Sequence, residues 1–171
     1  PKWEFTDRPI AMPQMLPATW SNVGFGLYGP KFRKNWAFGY EAYLTNGFNN
    51  DIISNVENKT FLPASKASKE RFEESSNGEP LLSAKVSMRH TAYGEVGLSY
   101  MGGIYNKYQD DGLVIDKKRR VDVVAIDYNV TLPKTHTRIV SEGAWVLVNV
   151  PDTYTQQYGK QQRGGYADII Q

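Results

Sequence analysis

WAFGYEAYLTN, residues 36–46, decides the fold class. Read with a period of two, Trp36, Phe38, Tyr40, Ala42 and Leu44 fall on one side, and Ala37, Gly39, Glu41 and Tyr43 on the other. Successive side chains of an extended strand point to opposite faces, so this stretch is a strand with one apolar and one mixed face.

The same alternation recurs along the chain. Leu82, Ala84, Val86 and Met88 alternate with Ser83, Lys85, Ser87 and Arg89. Val96, Leu98 and Tyr100 alternate with Glu95, Gly97 and Ser99, and Val124, Ile126, Tyr128 and Val130 with Val123, Ala125, Asp127 and Asn129. These patterns, with weaker ones near both ends, predict strands at 22–28, 36–46, 81–90, 95–105, 120–132, 137–149 and 165–171. Helix is nearly absent, its one candidate being the polar stretch 65–75. Four prolines in residues 1–21 make that segment loop or edge, since proline donates nothing to a ladder. The chain reads as a single segment, 1–171, with strands from 22 onward.

The connections are more telling than the strands. A short link, GPKFRKN, is followed by a long one at 47–80. A tight turn at 91–94 precedes a loop at 106–119, and a turn at 133–136 precedes a loop at 150–164. Short and long alternate throughout. Outer-membrane β-barrels do this, with short turns on one side of the bilayer and long loops on the other, whereas a soluble sandwich has no physical reason to gather its long loops at one end. The fold expected is all-β: an antiparallel up-and-down transmembrane β-barrel, of which about seven strands are legible.

Composition fits that reading. No run of about 18 apolar residues exists, so a membrane-spanning helix is excluded, but a barrel strand needs only about 10 residues, half of them apolar. Twenty basic against 18 acidic residues give no charge excess suited to nucleic acid. The absence of cysteine removes disulfides, thiol nucleophiles and cysteine metal sites together. The chain lacks an initiator Met and a signal peptide, and is expected to begin at a mature end or inside something longer.

LPATWSNVGFGLYG (16–29) and FGYEAYLTNGFN (38–49) resemble the phosphate-selective outer-membrane porins of the O and P type and their porin-like relatives. In that family a Pro-Thr-Thr-Trp-like element precedes a Gly-rich strand, a short turn and a strand ending in Asn-Gly. The likeness continues through AYGEVGLSYMGGIY, VDVVAIDYNV, IVSEGAW and GGYADIIQ. It implies a passive channel of the bacterial outer membrane for small hydrophilic solutes or ions, with a long loop that folds inward to narrow the pore. An external position for 47–80 is the equal alternative. Family members have about 16 strands and usually close on an aromatic residue. Only seven strands are legible here, and the last residues are Ile169, Ile170 and Gln171. The chain is therefore expected to be part of a larger barrel, with a small eight-stranded barrel recruiting residues 2–12 as the minor alternative.

With the apolar face toward lipid, Trp36, Phe38, Tyr40, Val96, Leu98 and Tyr100 are the expected lipid-facing residues. Glu41, Tyr43, Lys85, Arg89, Glu95, Asp127, Arg138 and Glu142, with Asn129 and Asp168, are the expected pore lining. Charges there would act on permeating ions at close range. Their mixed signs do not favour anions, so phosphate selectivity is not carried over. Trp36, Tyr93 and Tyr28 near the short turns, and Trp20, Phe48 and Tyr105 near the long loops, are the expected aromatic girdles.

Catalytic chemistry has no constellation here. His90 and His136 sit at turns without a nucleophile beside them, and Glu73–Glu74 and Asp110–Asp111 are solvated loop acids too few for a calcium site. No enzyme activity, catalytic residue, metal or cofactor is expected. The partners expected are outer-membrane lipid and small solutes or ions, with assembly as an oligomer or with other outer-membrane proteins left open. The competing function is a soluble β-sandwich that binds carbohydrate through aromatics such as Trp3, Trp20 and Trp145.

Overall fold

A computed structural model describes residues 15–17, 21–66 and 77–171. Seven long strands form one antiparallel sheet. They are β1 (Gly24–Arg33), β2 (Trp36–Asn46), β3 (Pro80–His90), β4 (Gly94–Ile104), β7 (Arg120–Leu132), β8 (Thr137–Val148) and β9 (Gln161–Ile170). Their spatial order, β1-β2-β3-β4-β7-β8-β9, is their sequence order, a pure meander. Among the described residues β1 and β9 are the two edges and do not pair with each other, so these seven strands form an open sheet, and the closure expected of a larger barrel is not shown.

Each strand pairs along nearly its whole length, from Gly24↔Thr45 to Arg33↔Trp36 and from Leu147↔Gln161 to Arg138↔Ile170. Strand β1 runs on to Arg33, where the sequence reading had ended it at residue 28. Pro30 reads as loop in the sequence, but β1 is an edge, and a residue without N–H is tolerated there. The β1–β2 link shrinks to Lys34 and Asn35, with Lys34 at φ 50°. Strand β9 begins at Gln161, four residues before the expected start.

The connection between β4 and β7 holds a small hairpin, β5 (Gln109–Asp110) and β6 (Leu113–Val114), where plain loop was expected. Its two turn residues, Asp111 and Gly112, have φ 47° and 83°. Two consecutive positive φ values are what a type I′ turn requires, and Asp-Gly supplies them at little cost. Gly94 opens β4 at φ 82°, and a Cβ there would lie 2.3 Å from the Asn129 carbonyl oxygen, so no larger residue fits.

The connection from β2 to β3 is described at 47–66 and 77–79. It contains a 3-10 turn at Asn50–Ile52 and a short helix, α1 (Leu62–Lys66). The helix predicted at 65–75 thus begins earlier, and positions 67–75 lie outside the described residues. Asn49 caps the 3-10 turn by accepting from the Asp51 N–H at 3.2 Å, and its own N–H donates to Ser65 Oγ. Ile52, Phe48 and Leu62 are nearly fully buried. They pack with Leu81, Tyr105, Val121, Val123, Val146 and Val148, which lie on one face of the sheet at its long-loop end. The described part of the loop therefore folds back over that face of the sheet. Burying three such side chains contributes roughly 1.5–3 kcal/mol each relative to exposure.

Candidate functional site

Directly paired residues of an antiparallel sheet point to the same side, so the registers assign two faces. The outer face carries Phe25, Leu27, Trp36, Phe38, Tyr40, Leu44, Leu82, Val86, Met88, Val96, Leu98, Tyr100, Ile126, Tyr128 and Trp145. All six residues expected to meet lipid are among them. This face is bare: Phe25 is 75% exposed, Val86 55%, Leu98 50% and Ile126 44%. In water, contiguous apolar surface beyond a few hundred Å² marks a contact with something else.

The inner face carries Glu41, Tyr43, Lys85, Arg89, Glu95, Asp127, Asn129, Arg138, Glu142 and Asp168. Rows of paired residues bring several together: Glu41 opposes Lys85, Arg89 opposes Glu95, and Asp127 opposes Glu142. Lys85 Nζ lies 3.0 Å from Asp127 Oδ2 across Gly97, whose missing side chain leaves room for both. Tyr43 donates to Glu41 at 3.1 Å, and Tyr166 to Glu142 at 3.4 Å. Arg138 sits apart, at the short-turn end beside Thr131 and Ile170.

The inner face changes character along the strands. At the long-loop end it is the dry patch beneath residues 48–62; toward the short turns it is the charged surface just described. Between them an open cleft of about 310 Å³ is lined by Leu16, Pro17, Glu41, Tyr43, Lys85, Ser99, Met101 and Val123. Glu41 and Lys85 thus line this cleft, between the dry patch and the charged surface.

Hydrogen bonds hold that loop. Thr60 N donates to the Gln157 carbonyl at 2.9 Å, Thr60 Oγ1 to the Gly159 carbonyl at 2.8 Å, and Gln162 Nε2 on β9 to the Thr60 carbonyl at 2.6 Å. The Tyr105 hydroxyl donates to the Asn149 carbonyl at 2.7 Å, and burial pushes its pKa up to about 12, keeping it a neutral donor. A second set of ties joins the loop before β3 to that before β7. Glu79 accepts from Lys118 at 2.6 Å and from Tyr108 at 2.7 Å, and Asp116 pairs with Arg119 at 2.7 Å. The bonds from Lys118 and Tyr108 hold Glu79 below its ordinary pKa, and the bond from Arg119 does the same for Asp116.

The girdle assignments need correction. Trp36 and Tyr93 do cluster at the short-turn end, with the His90 ring 4.4 Å from Trp36 and 4.6 Å from Tyr93. Tyr28 lies on the inner face in mid-strand, opposite Glu41. Phe48 and Tyr105 are core residues, because the loop they flank turns inward. Trp3 and Trp20 lie outside the described residues. Residues the sequence reading missed, Ile52, Thr60, Leu62 and Gln162, belong to the folded-in loop and its anchor.

Among the described residues no group of three His, Asp or Glu could hold a metal, and no helix is long and apolar enough to cross a membrane. No protein-family model matches the chain, and neither a curated protein nor a solved structure matches it.

Proposed function

We propose that these strands are part of the wall of a bacterial outer-membrane β-barrel, a channel for passive diffusion of small hydrophilic solutes or ions. The observation that carries this reading is the bare outer face, which exposes large apolar side chains on every strand (Ile169 alone on β9) with Lys31, Arg33, Arg120, Asp122 and Arg163 toward its ends, while Glu41, Lys85, Arg89, Glu95, Asp127 and Glu142 gather on the other face. A soluble sheet buries its apolar face; a barrel in lipid turns it outward and keeps its interior polar. The meander order and the long loops at one end are what such a wall needs.

Hydrocarbon does not satisfy open backbone groups, which cost several kcal/mol each, so β1 and β9 must both be paired in the membrane. Seven alternating strands leave these two edges running in the same direction. An all-antiparallel closure therefore takes an odd number of further strands. The inner face carries five acids and three bases among the named lining residues, with Lys85 already paired to Asp127. That surface suits charged and polar solutes without favouring phosphate.

Incorporation into planar lipid bilayers tests the proposal. Discrete conductance steps are expected. A protein that stays in the aqueous phase on detergent phase separation, and passes no current, would refute it.

A further inference from the structure

The cleft on the inner face owes its depth to side-chain size. One row of paired residues runs Glu41, Lys85, Ser99, Ala125 and Ala144 across five strands. Beyond Lys85 that row holds only small side chains, so a hollow opens there. The next row toward the long loops carries Tyr43, Ser83, Met101 and Val123, and its last two residues give the hollow an apolar wall. Leu16 and Pro17, from the segment before β1, complete the lining.

Two charges meet this hollow, and their circumstances differ. The stem of Lys85 passes over Gly97, and its ammonium lies 3.0 Å from Asp127 Oδ2. Gly97 and Asp127 belong to the row on the short-turn side, so the lysine is neutralised away from the apolar wall. Glu41, directly opposite Lys85 on β2, forms no ion pair among the described residues. Its one hydrogen bond comes from the Tyr43 hydroxyl at 3.1 Å. The Tyr43 ring is seated over Gly26 on β1, where any side chain would collide with it, so that hydroxyl is held in place. An ionised carboxylate has about four acceptor sites, and a neutral hydroxyl occupies one without cancelling the charge. Glu41 is half-buried, so its charge is screened less than one standing in open water.

We propose that this cleft is a binding site for organic ammonium ions. Glu41 takes the ammonium group, and the wall of Met101, Val123 and Leu16 takes the hydrocarbon body. The site rests on the channel reading above for its place on a solute path. Other ligand classes fit less well. An anion would face the open carboxylate while the nearest cation is engaged by Asp127. A divalent metal would find one carboxylate where it needs several oxygen ligands. A bare alkali ion gains nothing from an apolar wall. An alkylammonium matches both halves: its N–H groups donate charge-assisted bonds to Glu41, and its body leaves water against the wall. The cleft holds about 310 Å³, at the small end of ligand pockets, which suits a body the size of a phenylethyl group.

Isothermal titration of the full chain in non-ionic detergent tests this, with the heats of micelles alone subtracted. Three probes share one body: phenethylammonium, the neutral phenethyl alcohol and the anionic phenylpropionate. The ammonium should bind saturably, the alcohol about tenfold or more weakly, the loss expected for one hydrogen bond to a charged group, and the anion not at all. Glu41→Gln keeps the shape and removes the charge, and should lower the affinity for phenethylammonium to that for the alcohol. Equal affinities for ammonium and alcohol in the unaltered protein, or undiminished binding of the ammonium by Glu41→Gln, would overturn the site. Current across planar bilayers is recorded in parallel. Current without ammonium binding overturns the site and leaves the channel; ammonium binding without current overturns the channel and leaves the site.

Discussion

Replacing Leu98 by arginine puts the two possible surroundings of the outer face against each other. Leu98 is half exposed and lies one residue from the midpoint of β4, with Val86 and Ile126 opposite it on the neighbouring strands. In water, a substitution at such a site changes stability by no more than about 0.5 kcal/mol. Near a bilayer midplane an outward arginine on a barrel costs about 2–4 kcal/mol. At about 1.4 kcal/mol per factor of ten, that is roughly a 30- to 700-fold loss in the folding equilibrium. Ser99→Arg is the control, one residue along and on the inner face, opposite Lys85 and Ala125. Its cost should stay near zero to 1 kcal/mol, the figure for positions in contact with water. The assay is reversible denaturant unfolding in lipid vesicles, with both variants measured against the unaltered protein. Equal losses from the two substitutions, or no loss from Leu98→Arg, would refute the assignment of the faces.

The folded-in loop is anchored by a dry contact, so Ile52→Ala should cost about 2–5 kcal/mol of local stability and expose 47–66 to protease while the strands persist. Gly94→Val adds a side chain at φ 82° against the Asn129 carbonyl, and should destabilise by more than about 1 kcal/mol in thermal unfolding. Replacing Lys85 and Arg89 together with Glu should move the reversal potential in a planar-bilayer salt gradient toward cations; conductance with unchanged selectivity would put these residues outside the ion path. Glu79 and Asp116 titrate below the ordinary carboxylate value of about 4, so their contribution is present above that pH and is lost as pH falls through their lower folded values. Amide exchange over residues 106–119 should therefore quicken in acid before the strands respond.

The strands were legible because each has one apolar face, and a period of two survives any error in the ends. The ends themselves were less so. Pro30 looked like a stop, and only the position of β1 at the sheet edge explains why it is not. The Asp111-Gly112 pair was a readable hairpin signal, hidden by the shortness of the strands it joins. The folded-in loop left a trace too. Val121 and Val123 in β7, and Val146 and Val148 in β8, make an apolar patch at the long-loop end of a face that is charged elsewhere. Such a patch calls for a cover. Phe48 and Tyr105 were misplaced because an aromatic at a strand end suits a membrane girdle and a covered sheet face equally well.

Accessibility along Glu95–Met101 tests the central claim most directly. Single cysteines at each position, spin-labelled in lipid vesicles, report collision with oxygen, which concentrates in hydrocarbon, and with a water-soluble nickel complex. The account predicts strict alternation: positions 96, 98 and 100 favour oxygen, and 95, 97 and 99 favour nickel, because the register sends them to opposite faces. Nickel access at positions 96, 98 and 100 equal to that at their neighbours would mean that both faces meet water, and would contradict the account.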